Sequence, residues 1–312
     1  MDKYILIAGA CGFIGRYLSK AFKSIGYNII GIGHGNWNDS SYTEWGMNEF
    51  YNLDINFKNL VMVKKNRNFD FIINCAGASS VKVVKDYPIE SFNKTVVSNM
   101  EILEYMRKYD NKAKLIFVSS AAVYGEVFGE CVNENTLKKP VSLYGVHKLI
   151  AEELCKKYNE LYGLNIIILR IFSVYGNGLR KQLLWDACEK IMNKDYLFMG
   201  SGEEIRDWLN INDLVQYVVY AVNNSEDSYC VYNIGSGKGM SVKEILDILF
   251  RKFGVAERPS FNNLKNVGNP DKYIVDNRII KTWGIKNIEI EEGISDYVEW
   301  YKREKSGFCT NL

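Results

Sequence analysis

The stretch Tyr4-Ile5-Leu6-Ile7-Ala8-Gly9-Ala10-Cys11-Gly12-Phe13-Ile14-Gly15 decides how the chain begins to fold. Its first five residues are apolar and β-prone without alternation, which predicts a strand buried in a parallel sheet. Three glycines follow in the spacing G-x-x-G-x-x-G. Beyond them Tyr17, Leu18, Ala21, Phe22 and Ile25 recur at helical spacing until Gly26 stops the helix. Strand, glycine turn and helix together predict a phosphate cradle. Gly9 permits the tight turn, Gly12 lets a pyrophosphate approach the backbone, and Gly15 allows close helix–strand packing. The helix N-terminus faces the anion with free N–H groups and a positive dipole end. Gly9, Cys11, Gly12, Phe13 and Ile14 are therefore the expected contacts to a dinucleotide.

The whole chain is compatible with that start. Its 312 residues allow one large α/β domain with a lobe, or two domains. Hydrophobic residues at 47% and charged residues at 24% are ordinary globular values, enough for a sizeable core. Lys+Arg 39 against Asp+Glu 37 leaves a net charge of +2, so no nucleic-acid partner is expected. No apolar run approaches the roughly 18 residues of a membrane span. The N-terminal apolar run is too short for a signal peptide, and a cytoplasmic location is expected. The seven cysteines form no C-x-x-C pair and lie mostly among apolar neighbours, as reduced, buried thiols do. His34 and His147 are the only histidines, which excludes a His-rich metal site and disfavours a Ser-His-Asp triad; no metal is expected.

Residues 28–33 predict a second strand, whose end is where an NAD-binding fold usually places an acid for the ribose 2′-hydroxyl. Here Gly33-His34-Gly35-Asn36 follows. No carboxylate stands there to repel a 2′-phosphate, and His34 and Asn36 can donate hydrogen bonds to one. A plain glycine-rich loop is the competing reading. Leu53-Asp54-Ile55 reads as the end of a third strand, with Asp54 able to accept from an adenine amino group. Residues 69–74 predict a fourth strand, and the small Cys75, Ala76 and Gly77 after it let the backbone pass close to a nicotinamide ribose. Residues 88–109 predict a long helix carrying Asn99, either a satisfied core asparagine or a residue that orders the site.

Residues 115–118 predict a fifth strand ending at Ser119-Ser120-Ala121-Ala122, and strand carboxyl ends are where open parallel sheets bind ligands. Tyr144 and Lys148 stand four apart at the head of another predicted helix and share one face. An ammonium there can sit near the phenol and depress its pKa, making Tyr144 an acid or base near neutral pH. Ser120 can bind the same substrate oxygen. Joined to the glycine cradle, this set is far more specific than any isolated Y-x-x-x-K.

With these residues in view, the chain resembles an extended short-chain dehydrogenase/reductase of the NDP-sugar epimerase/dehydratase family over essentially its whole length. The likeness extends through Leu169-Arg170-Ile171-Phe172-Ser173-Val174-Tyr175-Gly176, Gly200-Ser201-Gly202, Arg206-Asp207-Trp208, Asn212-Asp213-Leu214 and Tyr232-Asn233-Ile234-Gly235-Ser236-Gly237. It implies a doubly wound parallel (Rossmann) α/β sheet with a smaller C-terminal substrate lobe. Residues 1–172 plus 212–233 would form the dinucleotide-binding domain, and 173–211 plus 234–312 the nucleotide-sugar lobe. The resemblance makes Ser120, Tyr144 and Lys148 the catalytic set. It places the cofactor against Gly9, Cys11, Gly12, Phe13, Ile14, Gly33, His34, Asn36, Asp54, Ile55, Cys75, Ala76, Gly77, Asn99, Tyr144 and Lys148. Substrate contacts are implied at Ser79, Ser120, Ser173, Arg180 and Arg206, the last gripping a diphosphate. The helices at 92–109 and 144–161 resemble the pair that forms the family's homodimer interface.

Departures narrow the chemistry. Ala121-Ala122 stands where the resembling 4,6-dehydratases carry an Asp-Glu pair, so the acid and base for elimination are missing. Galactose-type 4-epimerases usually carry an acid at Gly33, a lysine near Ser79 and an asparagine at Ser173. An arginine common in relatives is absent near Asn266-Val267-Gly268, so Lys265, Lys272 or Arg180 could share the diphosphate grip. The expected activity is NADPH-dependent reduction of a 4-keto (6-deoxy) sugar linked to dTDP, UDP or GDP, as in deoxysugar and polysaccharide biosynthesis. The alternative is an NAD-dependent 4-epimerase of UDP-glucose/UDP-galactose type. NADP(H) is thus expected ahead of NAD(H). A non-enzymatic cofactor sensor is the third reading, opposed by the intact Ser120, Tyr144 and Lys148.

Overall fold

Short apolar runs alternate with amphipathic helices, and that alternation builds a parallel sheet covered by helices. The computed structural model describes residues 2–35, 37, 41–78, 80–127, 129, 131–264, 268 and 270–309. In chain order they form β1 (Tyr4–Ala8), α1 (Phe13–Ser24), β2 (Asn28–Ile32), β3 (Glu49–Tyr51), α2 (Phe57–Lys64) and β4 (Phe71–Asn74). Next come α3 (Val81–Asp86), α4 (Pro88–Phe92), a π-helical turn (Asn93–Val97), α5 (Ser98–Tyr109), β5 (Lys114–Ser120), α6 (Leu143–Tyr162) and β6 (Asn165–Ile171). The remainder is β7 (Ser173–Tyr175), α7 (Gln182–Met192), β8 (Leu197–Phe198), β9 (Ile205–Asn210), α8 (Ile211–Asn224), β10 (Tyr229–Ile234), β11 (Gly239–Ser241), α9 (Val242–Phe253), β12 (Ser260–Phe261), α10 (Arg278–Lys281) and α11 (Ile290–Cys309).

Seven strands of the described residues order as β10-β6-β5-β4-β1-β2-β3, the doubly wound arrangement expected. Every strand pair from β6 across to β3 is parallel, for example Ile7 opposite Ile73 and Ile7 opposite Gly31. The order reverses about β1, so the carboxyl ends of β1, β2 and β4 open on one crevice. Leu6, Ile30, Ile72, Leu115 and Ile166 on the sheet pack with Leu60, Ile102, Tyr105 and Ala151 of the helices.

The chain divides into two compact units: 1–125, 134–171 and 215–233 in one, 126–133, 172–214 and 234–312 in the other. The second contains the sheet β11-β9-β7, antiparallel between β11 and β9 and parallel between β9 and β7, and the parallel pair β12-β8. Helix α9 there is started by a Ser241/Glu244 capping box and ended by Gly254 at φ +76°. No helix among the described residues is long and apolar enough to cross a membrane.

Three local expectations change. Strand β3 ends at Tyr51, so Leu53, Asp54 and Ile55 lie in the turn after it: Leu53 N–H donates to the Tyr51 carbonyl and Asn56 caps α2. The helix over 88–109 is α4, the π turn and α5 in succession. Among the six described thiols, Cys131 is exposed and Cys11 and Cys75 are half-buried; only Cys155, Cys188 and Cys230 match the expected burial.

Candidate active site

The cradle is built by close packing that only glycine permits. Gly9 adopts φ +78°, and a Cβ on it would lie 2.8 Å from the Ala76 nitrogen, so the turn after β1 presses on the exit of β4. A Cβ on Gly15 would lie 2.5 Å from the Gly9 carbonyl oxygen, which seats α1 directly on that turn. Gly12 is the N-cap of α1, with extended backbone, no side-chain cap and no acid in the first turn. The leading N–H groups thus keep their positive end unopposed, beside half-buried Phe13 and Ile14. Arg16 Nε donates to the Cys11 carbonyl at 2.8 Å and fixes the turn from behind. A dinucleotide pyrophosphate fits this cradle, because backbone alone lines the approach at Gly9 and Gly12.

At the end of β2, parallel pairing of Ile32 with Tyr51 brings two distant residues together. His34 Nε2 lies 2.7 Å from Asp54 Oδ1, and His34 Nδ1 lies 3.0 Å from Asn52 Oδ1. Only the protonated ring donates from both nitrogens, and these hydrogen bonds raise the His34 pKa, Asp54 first. Two expectations are thereby corrected. A carboxylate does stand at this strand end, supplied by Asp54, and both His34 donors are already engaged. Asn36 lies outside the described residues.

Beyond β4, Gly77 adopts φ +132°, and a Cβ there would meet Thr95 Oγ1 at 2.9 Å and Lys148 Nζ at 3.5 Å. Thr95 belongs to the π turn, is buried, and accepts from Ala78 N–H at 3.3 Å. Sequence reading missed it; its signal was a β-branched hydroxyl inside an apolar helical stripe. Asn99 lies behind this backbone with no exposed surface. Its Oδ1 accepts from Asn74 Nδ2 at 3.0 Å, and its Nδ2 donates to the Ala151 carbonyl at 3.3 Å. Asn74 Oδ1 in turn accepts from Ala76 N–H at 3.0 Å, so Asn99 orders the Cys75–Gly77 bend and is itself a satisfied core asparagine. Ser79 lies outside the described residues.

Ser120 ends β5, and its hydroxyl caps the short turn Ala121–Val123 by accepting from Ala122 N–H at 3.2 Å. Helix α6 starts at the Ser142 cap. A Cβ on Gly145 would lie 2.3 Å from the Ala122 carbonyl oxygen, so the first turn of α6 rests directly on that short turn. The half-buried Tyr144 phenol thereby shares a hydrogen bond with the Ser120 hydroxyl. Lys148 is buried, and its Nζ donates to the Val118 carbonyl at 2.8 Å, above the Phe117 ring at 5.1 Å. Burial pulls its pKa down to about 8, against the favourable charges of Cys75 and Glu152. Burial also raises the Tyr144 phenol, only partly offset by Ser120. The expectation that Lys148 depresses the phenol is therefore not met: the shared helical face is real, but the ammonium reaches a strand carbonyl. A phenol, a hydroxyl and a buried ammonium beside bare glycine backbone can move a proton to or from an alcohol oxygen.

In the second unit, Ser173 pairs with Trp208 where β7 meets β9. Arg206 on β9 donates to the carbonyls of Ile205 at 2.8 Å and Asp271 at 3.2 Å, and burial lowers its pKa. Its neighbour Asp207 is fully buried and accepts from Ser236 N–H at 2.6 Å, Gly237 N–H at 2.9 Å and Val275 N–H at 3.1 Å. Arg180 pairs with Glu304, Nε to Oε1 at 3.1 Å, so a diphosphate would have to compete for it. Lys272 bridges to Ile205, and Lys265 lies outside the described residues. No cluster of His, Cys, Asp and Glu suited to a metal occurs among the described residues.

Residues 5–235 match the NAD dependent epimerase/dehydratase family. The chain belongs to this family. Members near it include a Methanocaldococcus jannaschii protein provisionally named UDP-glucose 4-epimerase, 30% identical over 96% of this chain and 98% of that one. The UDP-glucuronate 4-epimerase of Thermodesulfobacterium geofontis is 27% identical, covering 96% of each chain. Among solved structures, the UDP-glucuronic acid 4-epimerase of Bacillus cereus, in complex with UDP-glucuronic acid and NAD, superposes with a TM-score of 0.84. It is 26% identical over 96% of this chain and 99% of that one.

Proposed function

We propose that this family member is an NAD-dependent 4-epimerase of a UDP-linked sugar. The observation that carries the choice is the Asp54 carboxylate paired with His34 at 2.7 Å just beyond β2, which occupies a donor otherwise free for a 2′-phosphate. The reductase reading leaned on the absence of such a carboxylate and loses that support. The 4-epimerase relatives weigh the same way, and Ala121-Ala122 still lacks the groups for elimination.

The residues divide the work. Gly9, Cys11, Gly12, Phe13 and Ile14 would hold the pyrophosphate, Gly33, His34, Asp54 and Ile55 the adenosine, and Cys75–Gly77 with Lys148 the nicotinamide ribose. When bound, NAD would supply reversible hydride chemistry at sugar C4, and the product is the epimer only if the hydride returns to the opposite face of the 4-keto sugar. Tyr144 removes the proton of the C4 hydroxyl and later gives it back, while Ser120 hydrogen-bonds that oxygen. Lys148, fixed by the Val118 carbonyl at 2.8 Å behind the Gly77 bend, would act on the nicotinamide ribose and not on the phenol. Arg206, Ser173 and Arg180 are the proposed diphosphate and sugar contacts of the second unit.

The test is to give the purified protein UDP-glucose and UDP-glucuronic acid without added cofactor, and a 4-keto-6-deoxy nucleotide sugar with NADPH. Epimerised product and copurifying NAD are expected; NADPH oxidation on the keto sugar alone would return the reductase reading. We also infer a homodimer through α5 and α6, whose Met100, Tyr109, Leu143 and Leu161 leave large apolar side chains exposed. Light scattering on the eluting protein should give twice 35.9 kDa, and a monomer would remove the interface.

A further inference from the structure

The motif around Arg170 has no part in the chemistry above, yet it anchors the most connected buried charges of the first unit. Arg170 on β6 and Glu152 on α6 are both almost wholly buried. Arg170 Nε donates to Glu152 Oε1 at 3.0 Å and its NH2 to Oε2 at 2.8 Å, a bidentate fork. Glu152 Oε1 also accepts from the Ser119 hydroxyl at 2.6 Å. The third guanidinium nitrogen donates to Tyr124 Oη at 2.8 Å, and that hydroxyl donates to Asn233 Oδ1 at 2.7 Å.

These contacts bracket Ser120. Ser119 precedes it, Tyr124 follows the turn that it caps, and Val118 is held by Lys148 at 2.8 Å. A buried ion pair is weak evidence for stability, since apolar replacements are often as stable. Here the pair fixes both flanks of one hydroxyl and puts a compensated charge one helical turn from Lys148.

We propose that Glu152 and Arg170 are positioning residues: a buried pair that holds the Ser120 turn in register and controls the charge felt by Lys148. This rests on the reading of Ser120, Tyr144 and Lys148 as the proton-handling set. The groups around it are few. Lys148 faces Cys75 in the bend after β4, with Tyr144 and Glu152 one turn to either side on α6. Glu152 faces Arg170 from β6 and Lys138 at 4.0 Å, and its charge is felt by Cys155 of α6 and Tyr229 of β10.

Because Glu152 favours the ammonium and the guanidinium paired with it carries the opposite charge, the two single variants should move Lys148 in opposite directions. In lysine-labelled full-length protein, NMR titration of Lys148 Nζ should fall by about one pH unit in Glu152→Gln and rise in Arg170→Met. The double variant should return towards wild type. Arg170→Lys keeps the charge without the fork. It should leave the titration near wild type while lowering kcat by as much as about 100-fold with little change in KM, as expected of a displaced Ser120. If Arg170→Met does not fold, Glu152→Gln and Arg170→Lys still decide the matter. An unmoved Lys148 titration in Glu152→Gln, or an unchanged kcat in Arg170→Lys, overturns the proposal. The Lys148 titration needs no substrate, so a wild type without C4 turnover would defeat the epimerase reading and leave this result readable.

Discussion

Tyr144 and Asp54 are the two residues on which the proposed activity turns. Replacing Tyr144 by Phe keeps the ring at the head of α6 and removes only the proton-bearing oxygen. Tyr144→Phe should therefore lower kcat by about 10²–10⁴ while NAD binding, followed by fluorescence, stays close to wild type. A variant turning over at the wild-type rate would take the proton step away from Tyr144. Asp54 acts by charge at an exposed position, so its effect is smaller. Asp54→Asn should shift the ratio of NADP to NAD affinity severalfold towards NADP, about 1 kcal/mol or less, in calorimetric titrations. An unaltered ratio would show that cofactor choice lies elsewhere.

Elements decide what a sequence can disclose about such residues. The β1 turn and α1 are legible because every signal is local: an apolar run, spaced glycines and an amphipathic helix that Gly26 ends. Tyr144 and Lys148 are legible for the same reason, one helical turn apart. The His34–Asp54 contact is not, since it depends on β2 and β3 pairing with Ile32 opposite Tyr51. Nor is the role of Thr95, which the π turn at Asn93–Val97 places against the Gly77 bend; no residue pattern here distinguishes that turn from ordinary helix. Asn99 was legible as polar among apolar neighbours, but only its partners show that it supports Asn74 from behind. Packing of α6 on the Ala121–Val123 turn is likewise invisible without coordinates. Its test is Gly145→Ala, whose Cβ would sit 2.3 Å from the Ala122 oxygen. This variant should lose about 1–3 kcal/mol of stability from overpacking and part Tyr144 from Ser120. A kcat that survives in the folded fraction would mean that the turn yields instead.

At the scale of the whole molecule, stability depends on pH through Asp213 at the start of α8. Its carboxyl is buried, with Oδ2 accepting from Ile288 N–H at 3.0 Å and Oδ1 without a partner. Burial raises its pKa to about 6, above the roughly 3.9 of an unfolded chain. The folded state thus binds the proton more tightly, and the charged form costs stability above pH 6. That cost reaches about 2–3 kcal/mol and is relieved as pH falls from 6 towards 4. Asp213→Asn should melt higher than wild type at pH 8, with the difference fading by about pH 4.5. A difference independent of pH would assign the effect to packing. The division of the chain has another consequence, set by the order of synthesis. Each unit draws on three separate segments, and the sheet of the first is closed on one side by β10, residues 229–234. A nascent chain that has left the ribosome only as far as β6 carries every proton-handling residue, yet its sheet still presents β6 as an open edge. Completion of the first unit must therefore wait until residues 126–133 and 172–214 of the second have been translated.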